Sequence, residues 1–213
     1  MNELMKRIKE ISRRGFKEPE TITTEDLDII RECLDHSDQS IVARAYWAIG
    51  QIGIKKPDII SEYIERAFED FHHENAEVRE NALFAIGRTG RANIAFVKNR
   101  IDEILQLSHD PIPKVRMSMI WACENIAHTD AGLFEQYISI FETLLHDEDE
   151  HYVRAEAPEI FRVIGKYRPE LVEQSLPLLK EKLNDACRVT RIHSEGAIRI
   201  IEKRLKADSH EKV

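Results

Sequence analysis

The chain has little of what breaks or staples a fold. Eight glycines and seven prolines in 213 residues leave few of the tight turns that an all-β protein needs. The three cysteines, Cys33, Cys123 and Cys187, are far apart and odd in number, and they include no C-x-x-C pair. That usage argues against a disulfide framework and fits a reduced, intracellular setting. No apolar run approaches 18 residues, and the opening MNELMKRIKEISRRG is too charged for a signal peptide. A cytoplasmic protein without membrane contact is expected. Positive charge is in deficit, with 31 Lys and Arg against 39 Asp and Glu and a net charge of -8. A general nucleic-acid binder needs the opposite balance to displace counterions, although a local basic patch stays open. There is also no G-x-S-x-G, no H-E-x-x-H and no phosphate loop ending in G-K-[ST]. No catalytic set emerges, and no cofactor is implied.

What is present points to helices. Hydrophobic residues make up 42% and charged residues 33%, the profile of a helical protein with a heavily solvated surface. Internal self-similarity is the strongest signal. IVARAYWAIGQIG (41–53), VRENALFAIGRTG (78–90), VRMSMIWACENIA (115–127), VRAEAPEIFRVIG (153–165) and VTRIHSEGAIRII (189–201) follow one another at spacings of 37, 37, 38 and 36 residues. Within each copy, positions 1, 5, 8, 9 and 12 are mostly small or apolar and so share one helical face. Ile41, Ala45, Ala48, Ile49 and Ile52 illustrate this, as do Val78, Ala82, Ala85, Ile86 and Thr89.

Each copy, a helix B, follows a second amphipathic segment, a helix A. These segments are DLDIIRECL, IISEYIERAFEDF, VKNRIDEILQL, LFEQYISIFETLL and LVEQSLPLLKEKL. Thr24 before Glu25 and Asp26 marks a helix start, and Pro57 and Pro169 suit a first helical turn. Pro158 falls inside the fourth helix B and Pro177 inside the fifth helix A, where a proline costs about 3 kcal/mol and bends the helix. One antiparallel pair cannot bury both its faces, so the pairs must stack.

These features resemble the HEAT-repeat family over about residues 24–205. The V-R pair that opens helix B in that family stands here as Val78-Arg79, Val115-Arg116 and Val153-Arg154. The family often has an aspartate five residues before the valine that pairs with the arginine in a ladder. Asp110 matches, Glu148 is a substitute, and His36, His73 and Asn184 break the pattern. The resemblance implies an all-α, right-handed solenoid of about five helix pairs, at about 24–54, 57–91, 94–128, 132–166 and 169–205. Residues 1–23 would hold a capping helix (Leu4, Ile8 and Ile11 on one face) and a linker, with a polar, frayed tail at 206–213.

Helix B lines the concave wall in HEAT proteins, which bears on position 7. Trp47, Phe84 and Trp121 stand there at spacings of 37 residues, with Glu159 and Glu195 in the last two copies. Gln51, Arg88 and Asn125 follow four residues later on the same face. Trp121 and Asn125 resemble the tryptophan–asparagine ladder with which armadillo repeats hold extended peptides. The alternative is that the rings are ordinary packing between repeats. Charge divides as well: Arg44, Arg88, Arg91 and His128 lie near the aromatics, whereas Glu156, Glu159 and Glu195 belong to the last two copies. A partner with acidic and apolar groups at one end and basic groups at the other would fit.

Other constellations read as structural. His36, His73, His109 and His146 each close a helix A, where the helix dipole favours a cation. Packed helices lie about 8–10 Å apart, too far for neighbouring rungs to share one ion. HDEDEH (146–151) offers His146, Asp147, Asp149 and His151 to a divalent ion but lacks the glycine and distal glutamate of an EF-hand loop. A solvated turn is the plainer reading, and Cys123 sits at a core position. In AIGRTG (85–90), Gly87 and Gly90 track the end of helix B, the wrong end for a phosphate clamp. Gly87 suits close helix packing, and Gly90 suits a left-handed turn after the helix.

The expected function is therefore a non-catalytic scaffold that binds a protein or extended peptide on the helix-B face. Trp47, Phe84 and Trp121 are the candidate anchors, with Gln51, Arg88, Asn125, Arg44 and Arg91 as polar partners. HEAT-like DNA-repair glycosylases offer a rival, with Trp47, Trp121 and Glu159 or Asp110 in their groove, but the acidic balance opposes it. HEAT-like phycobilin lyases offer another, but their repeats run shorter.

Overall fold

No strand occurs among the described residues, 3–210 of a computed structural model; the ordered elements are α-helices and short 3₁₀ segments. The chain divides into two compact units, Met1–Leu107 and Ser108–Val213.

The first unit holds α1 (Glu3–Lys17), α2 (Thr24–Leu34), α3 (Gln39–Gly53), α4 (Ile64–Glu69), α5 (Ala76–Ala92) and α6 (Ile101–Gln106). Helix α1 buries Ile8 and Ile11 and packs against α2 and α3, as a leading helix should. Helix α2 opens on a capping box. The Thr23 hydroxyl accepts from the Asp26 N–H, and the Asp26 carboxylate accepts from the Thr23 N–H at 2.9 Å, which satisfies two otherwise orphaned donors. Thr23 is thus the N-cap, and Thr24 is the first residue of the helix. Helices α3 and α5 pack side by side through small residues. A Cβ on Gly50 would lie 2.5 Å from the Phe84 ring, so only glycine admits that ring.

The second unit holds α7 (Pro113–Ala127), α8 (Ile138–Leu144), α9 (Val153–Tyr167), α10 (Leu176–Glu181) and α11 (Arg188–His210). Helix α9 packs on α7, α8 and α11, and α10 packs on α11.

Several helix-A segments are not continuous α-helices. Three begin as 3₁₀ winding, over Pro57–Tyr63, over Ala131–Tyr137 and over the pair Pro169–Leu171 and Glu173–Ser175. The buried residues explain the winding. They are Ile60 and Tyr63 in the first, Ala131 and Phe134 in the second, and Pro169, Val172 and Ser175 in the third. Residues three apart eclipse when there are three residues per turn. Pro177 consequently lies in the first turn of α10 rather than in a helix interior, and it interrupts nothing. Pro158 does lie inside α9, where it is buried.

Three other expectations need correction. The inward set of the fifth helix B is Thr190, Ser194, Ala197, Ile198 and Ile201, all buried, whereas Val189 is exposed. The fifth copy is therefore offset by one residue, and Gly196 rather than Glu195 takes position 7. Two buried hydroxyls stand where the apolar pattern should be. No described glycine has a positive φ, and α5 runs past Gly90 to Ala92, so Gly90 is helical. Helix α11 continues to His210, so residues 206–210 are helical; residues 211–213 of the expected tail lie outside the described residues.

The turns between helices A and B repeat one device. Asp38, Asn75, Asp110, Asp147 and Asp185 each accept from the backbone N–H two residues on, at 2.9–3.0 Å. His36 and His73 reinforce the first two turns, their Nδ1 atoms accepting from the N–H of Asp38 and Asn75. These histidines brace the turns. The helix-B arginine then donates to the turn before it: Arg79 to the His73 carbonyl, Arg116 to that of Asp110, Arg154 to that of Asp147 and Arg191 to that of Asp185. In the second unit Arg116 also grips the Asp147 carboxylate at 2.7 and 2.9 Å, and Arg154 reaches Asp185 at 3.2 Å. The ladder carboxylates there are Asp147 and Asp185, one residue away from Glu148 and Asn184.

Candidate partner-binding site

In the first unit the packing of α3 on α5 brings two of the three expected aromatics together. Trp47 and Phe84 stack face to face, with ring centroids 3.9 Å apart and planes 11° from parallel. Both rings stay half-buried, so they pack between repeats and still present an edge. The Arg44 guanidinium lies 5.9 Å from the Trp47 ring centroid, and that of Arg88 lies 5.5 Å from the Phe84 centroid. Arg88 also donates to Gln51 Oε1 at 3.1 Å, which fixes the head group of each. Burial, followed by the nearby charge of Arg91, depresses the Arg88 pKa. Arg91 itself is exposed at the end of α5.

Sequence reading missed Phe16 here. At 46% exposure it is among the most exposed large apolar residues, and it stands 5.3 Å from the Arg88 guanidinium and 5.4 Å from Lys55 Nζ. It belongs to the leading helix, outside the repeat, so position-by-position comparison of repeats could not find it. A lone phenylalanine on the polar side of α1 was the available signal.

In the second unit Trp121 is half-buried, but Asn125 is 94% buried (6% exposed) and its amide donates to the Trp121 carbonyl at 3.0 Å. That amide serves its own helix. His128 lies 3.1 Å from the Tyr167 hydroxyl. On α9, Glu156, Glu159 and Arg162 face Glu124 of α7. Glu159 is held by Arg162, and Glu156 is half-buried on the preceding turn of α9. Glu124, one turn after Trp121 on α7, is buried and its Oε1 has no hydrogen-bond partner. The Glu124 carboxyl is pushed well above the usual range by burial and then by Glu156 and Glu159.

The residues of HDEDEH have separate tasks. Asp147 holds Arg116, Asp149 accepts from the N–H groups of Tyr152 and Val153 at the start of α9, and His151 is exposed beside Glu150. Among the described residues no three His, Cys, Asp or Glu side chains are arranged to hold a metal ion, and no helix is long and apolar enough to cross a membrane. Cys33 and Cys123 are buried, and burial raises both thiol pKa values.

Paired helices in tandem, small residues at the contacts and an arginine–aspartate ladder define an α-solenoid class of helical-repeat protein. The sequence model of the HEAT repeats family matches residues 61–160. The chain is similar to HEAT/armadillo-type repeat proteins, and its all-helical fold is that of an α-solenoid. A designed armadillo repeat protein in complex with the peptide (KR)4 superimposes with a TM-score of 0.63 at 18% identity, covering 94% of this chain and 100% of that one. An engineered protein reaches 0.70 at 19% identity, covering 95% and 100%. Kap121p reaches 0.75 at 14% identity, covering 96% of this chain but 22% of its own length. At these identities the likeness is one of fold. No curated protein sequence matches the chain.

Proposed function

We propose that the chain is a scaffold that binds a protein or extended peptide on the exposed face of its B helices. The observation that carries this reading is the Trp47–Phe84 stack fringed by Arg44 and Arg88. Aromatic and arginine side chains dominate the centres of protein interfaces, and rings already held in place lose little entropy on binding. Trp47 and Phe84 are the anchors in the first unit, and Trp121 is the anchor in the second. Gln51, Arg88, Arg44 and Arg91 supply polar contacts, whereas the Asn125 amide is engaged by the Trp121 carbonyl. The fold's use in a designed armadillo protein bound to a peptide supports the same reading.

The test is affinity capture from the native cell with the tagged full chain, compared with Trp121→Ala and Trp47→Ala variants. Both variants are expected to lose the partner while keeping their helical circular dichroism. If either unfolds, its ring is core rather than anchor. If both keep fold and partner, the B-helix face is not where binding occurs.

A further inference from the structure

The last helix of the second unit carries a charge pattern that complements its own reverse. In α3 the flank at positions 6, 10 and 13 is Tyr46, Gly50 and Gly53, and in α9 it is Pro158, Arg162 and Gly165. The next helix B covers that flank: a Cβ on Gly53 would meet Thr89 of α5, and one on Gly165 would meet Ile201 of α11. On α11 itself the same positions are Glu195, Arg199 and Glu202, the first two exposed and the third half-buried. No small residue stands among them, so a further helix in close backbone contact does not fit here.

The flank is not a plain polar cap either. Leu183 and Ile198 line a groove of about 550 Å³ together with Glu195, Arg199, Glu202 and Lys206. Ile192, three residues before Glu195, is 51% exposed, more than any other large apolar side chain among the described residues. Val189, three residues earlier again, is also exposed. An outer face built only for solubility would be polar throughout.

Four charges of alternating sign run along this flank. Glu195, Arg199, Glu202 and Lys206 are spaced by four, three and four residues and so share one face of the helix. In reverse order the spacing is the same and every sign is inverted. When a second α11 lies antiparallel about a two-fold axis, Glu195 of one copy faces Lys206 of the other and Arg199 faces Glu202, and symmetry makes each pair twice. A parallel, in-register pair would set like charge against like. Among the described residues Glu195, Arg199 and Lys206 make no ion pair, and Glu202 meets Lys180 at 2.9 Å on open surface. We propose that this flank of α11 is a homodimer contact, in which a second copy of the chain docks its own α11 antiparallel, with Ile192 flanking the charged seam at each end. The contact does not depend on what the B-helix face binds. Exposed ion pairs contribute little each and one helix pair is a small interface, so the dimer should be weak, half formed at roughly tens of micromolar chain. The charges chiefly fix orientation and partner choice.

Sedimentation equilibrium of the full chain from about 5 to about 200 µM tests the contact. Wild type should rise from the mass of one chain toward that of two. A wild type that stays at the mass of one chain throughout overturns a second copy as the occupant. Glu195→Lys and Lys206→Glu should each lose at least about tenfold in affinity, because each sets like charge against like at both ends of the seam. Mixed in equal amounts, the two variants should pair with each other, since the reversed charges again oppose. A mixture that stays monomeric overturns the antiparallel register, and dimerisation of either variant alone as tight as wild type puts the contact elsewhere on the chain. Glu173→Lys changes the net charge as Glu195→Lys does, but at an exposed acid before α10, and should alter the affinity less than about twofold. A loss there as large as that of Glu195→Lys means that net charge alone governs association and overturns the seam. Arg199→Glu and Glu202→Arg form the same exchange and carry the test should either of the first variants lose its helical circular dichroism.

Discussion

Trp47 from α3 and Phe84 from α5 lie in parallel planes 3.9 Å apart, one ring from each of two successive repeats. Stacking joins the repeats beside Gly50, where an added Cβ would lie 3.2 Å from the Ala85 Cα. A ring that rests on another ring stays in one rotamer, which preorganises the exposed edges. The stack should contribute about 0.5–1.5 kcal/mol beyond the area it buries. A double-mutant cycle of Trp47→Ala and Phe84→Ala, followed by urea unfolding, measures that coupling directly. Strict additivity of the two losses would show that the rings merely sit side by side.

Arg116 and Asp147 form the most enclosed ion pair in the second unit, with side-chain exposures of 8% and 12%. The guanidinium holds both carboxylate oxygens and also donates to the Asp110 carbonyl, which ties the start of α7 to the following turn. Removing one partner leaves a largely buried charge alone, at a cost of about 3–5 kcal/mol. Asp147→Ala should therefore lower the urea midpoint strongly. Arg116→Lys should recover little, because an ammonium cannot make the forked contact. Recovery to wild-type stability by lysine would mean that charge alone matters at this site.

Much of this was legible in the sequence because the repeat writes each rule several times. The inward faces of α3, α5, α7 and α9 follow from the spacing of small and apolar residues, and all four are buried as that spacing requires. The fifth copy was misread by one residue because Thr190 and Ser194 are fully buried hydroxyls, which an apolar pattern passes over. The ladder aspartates were missed by a similar margin. Their positions are set by a turn geometry, in which each carboxylate accepts from the N–H two residues on, rather than by distance from the valine. Windings such as Pro57–Tyr63 were invisible because apolar residues three apart fit an α-helix and a 3₁₀ helix alike. Glu124 was passed over for the opposite reason: a glutamate near the end of an amphipathic helix normally faces water, whereas Glu124 is buried on α7, which packs on α9.

Glu124 also makes stability depend on pH in a direction that can be worked out. Its carboxyl, ordinarily near 4.5, is raised in the folded chain by burial and then by Glu156 and Glu159. In the unfolded chain the proton leaves near the ordinary value. Below that value both states hold the proton, and the group costs nothing extra. As pH rises, the unfolded state ionises freely while the folded state resists, so stability is lost progressively from about pH 4.5 up to the raised folded value. Glu156 is raised in the same direction, chiefly by burial, and its effect is common to wild type and to a Glu124 variant. Glu124→Gln keeps the shape and removes the ionisation. Urea unfolding at constant ionic strength should find the variant close to wild type at pH 4. At pH 7.5 the variant should be more stable by at least about 1 kcal/mol. A stability difference that stays constant from pH 4 to 7.5 would show that Glu124 titrates as it does in water, and the buried, unbalanced carboxyl would then have to be abandoned.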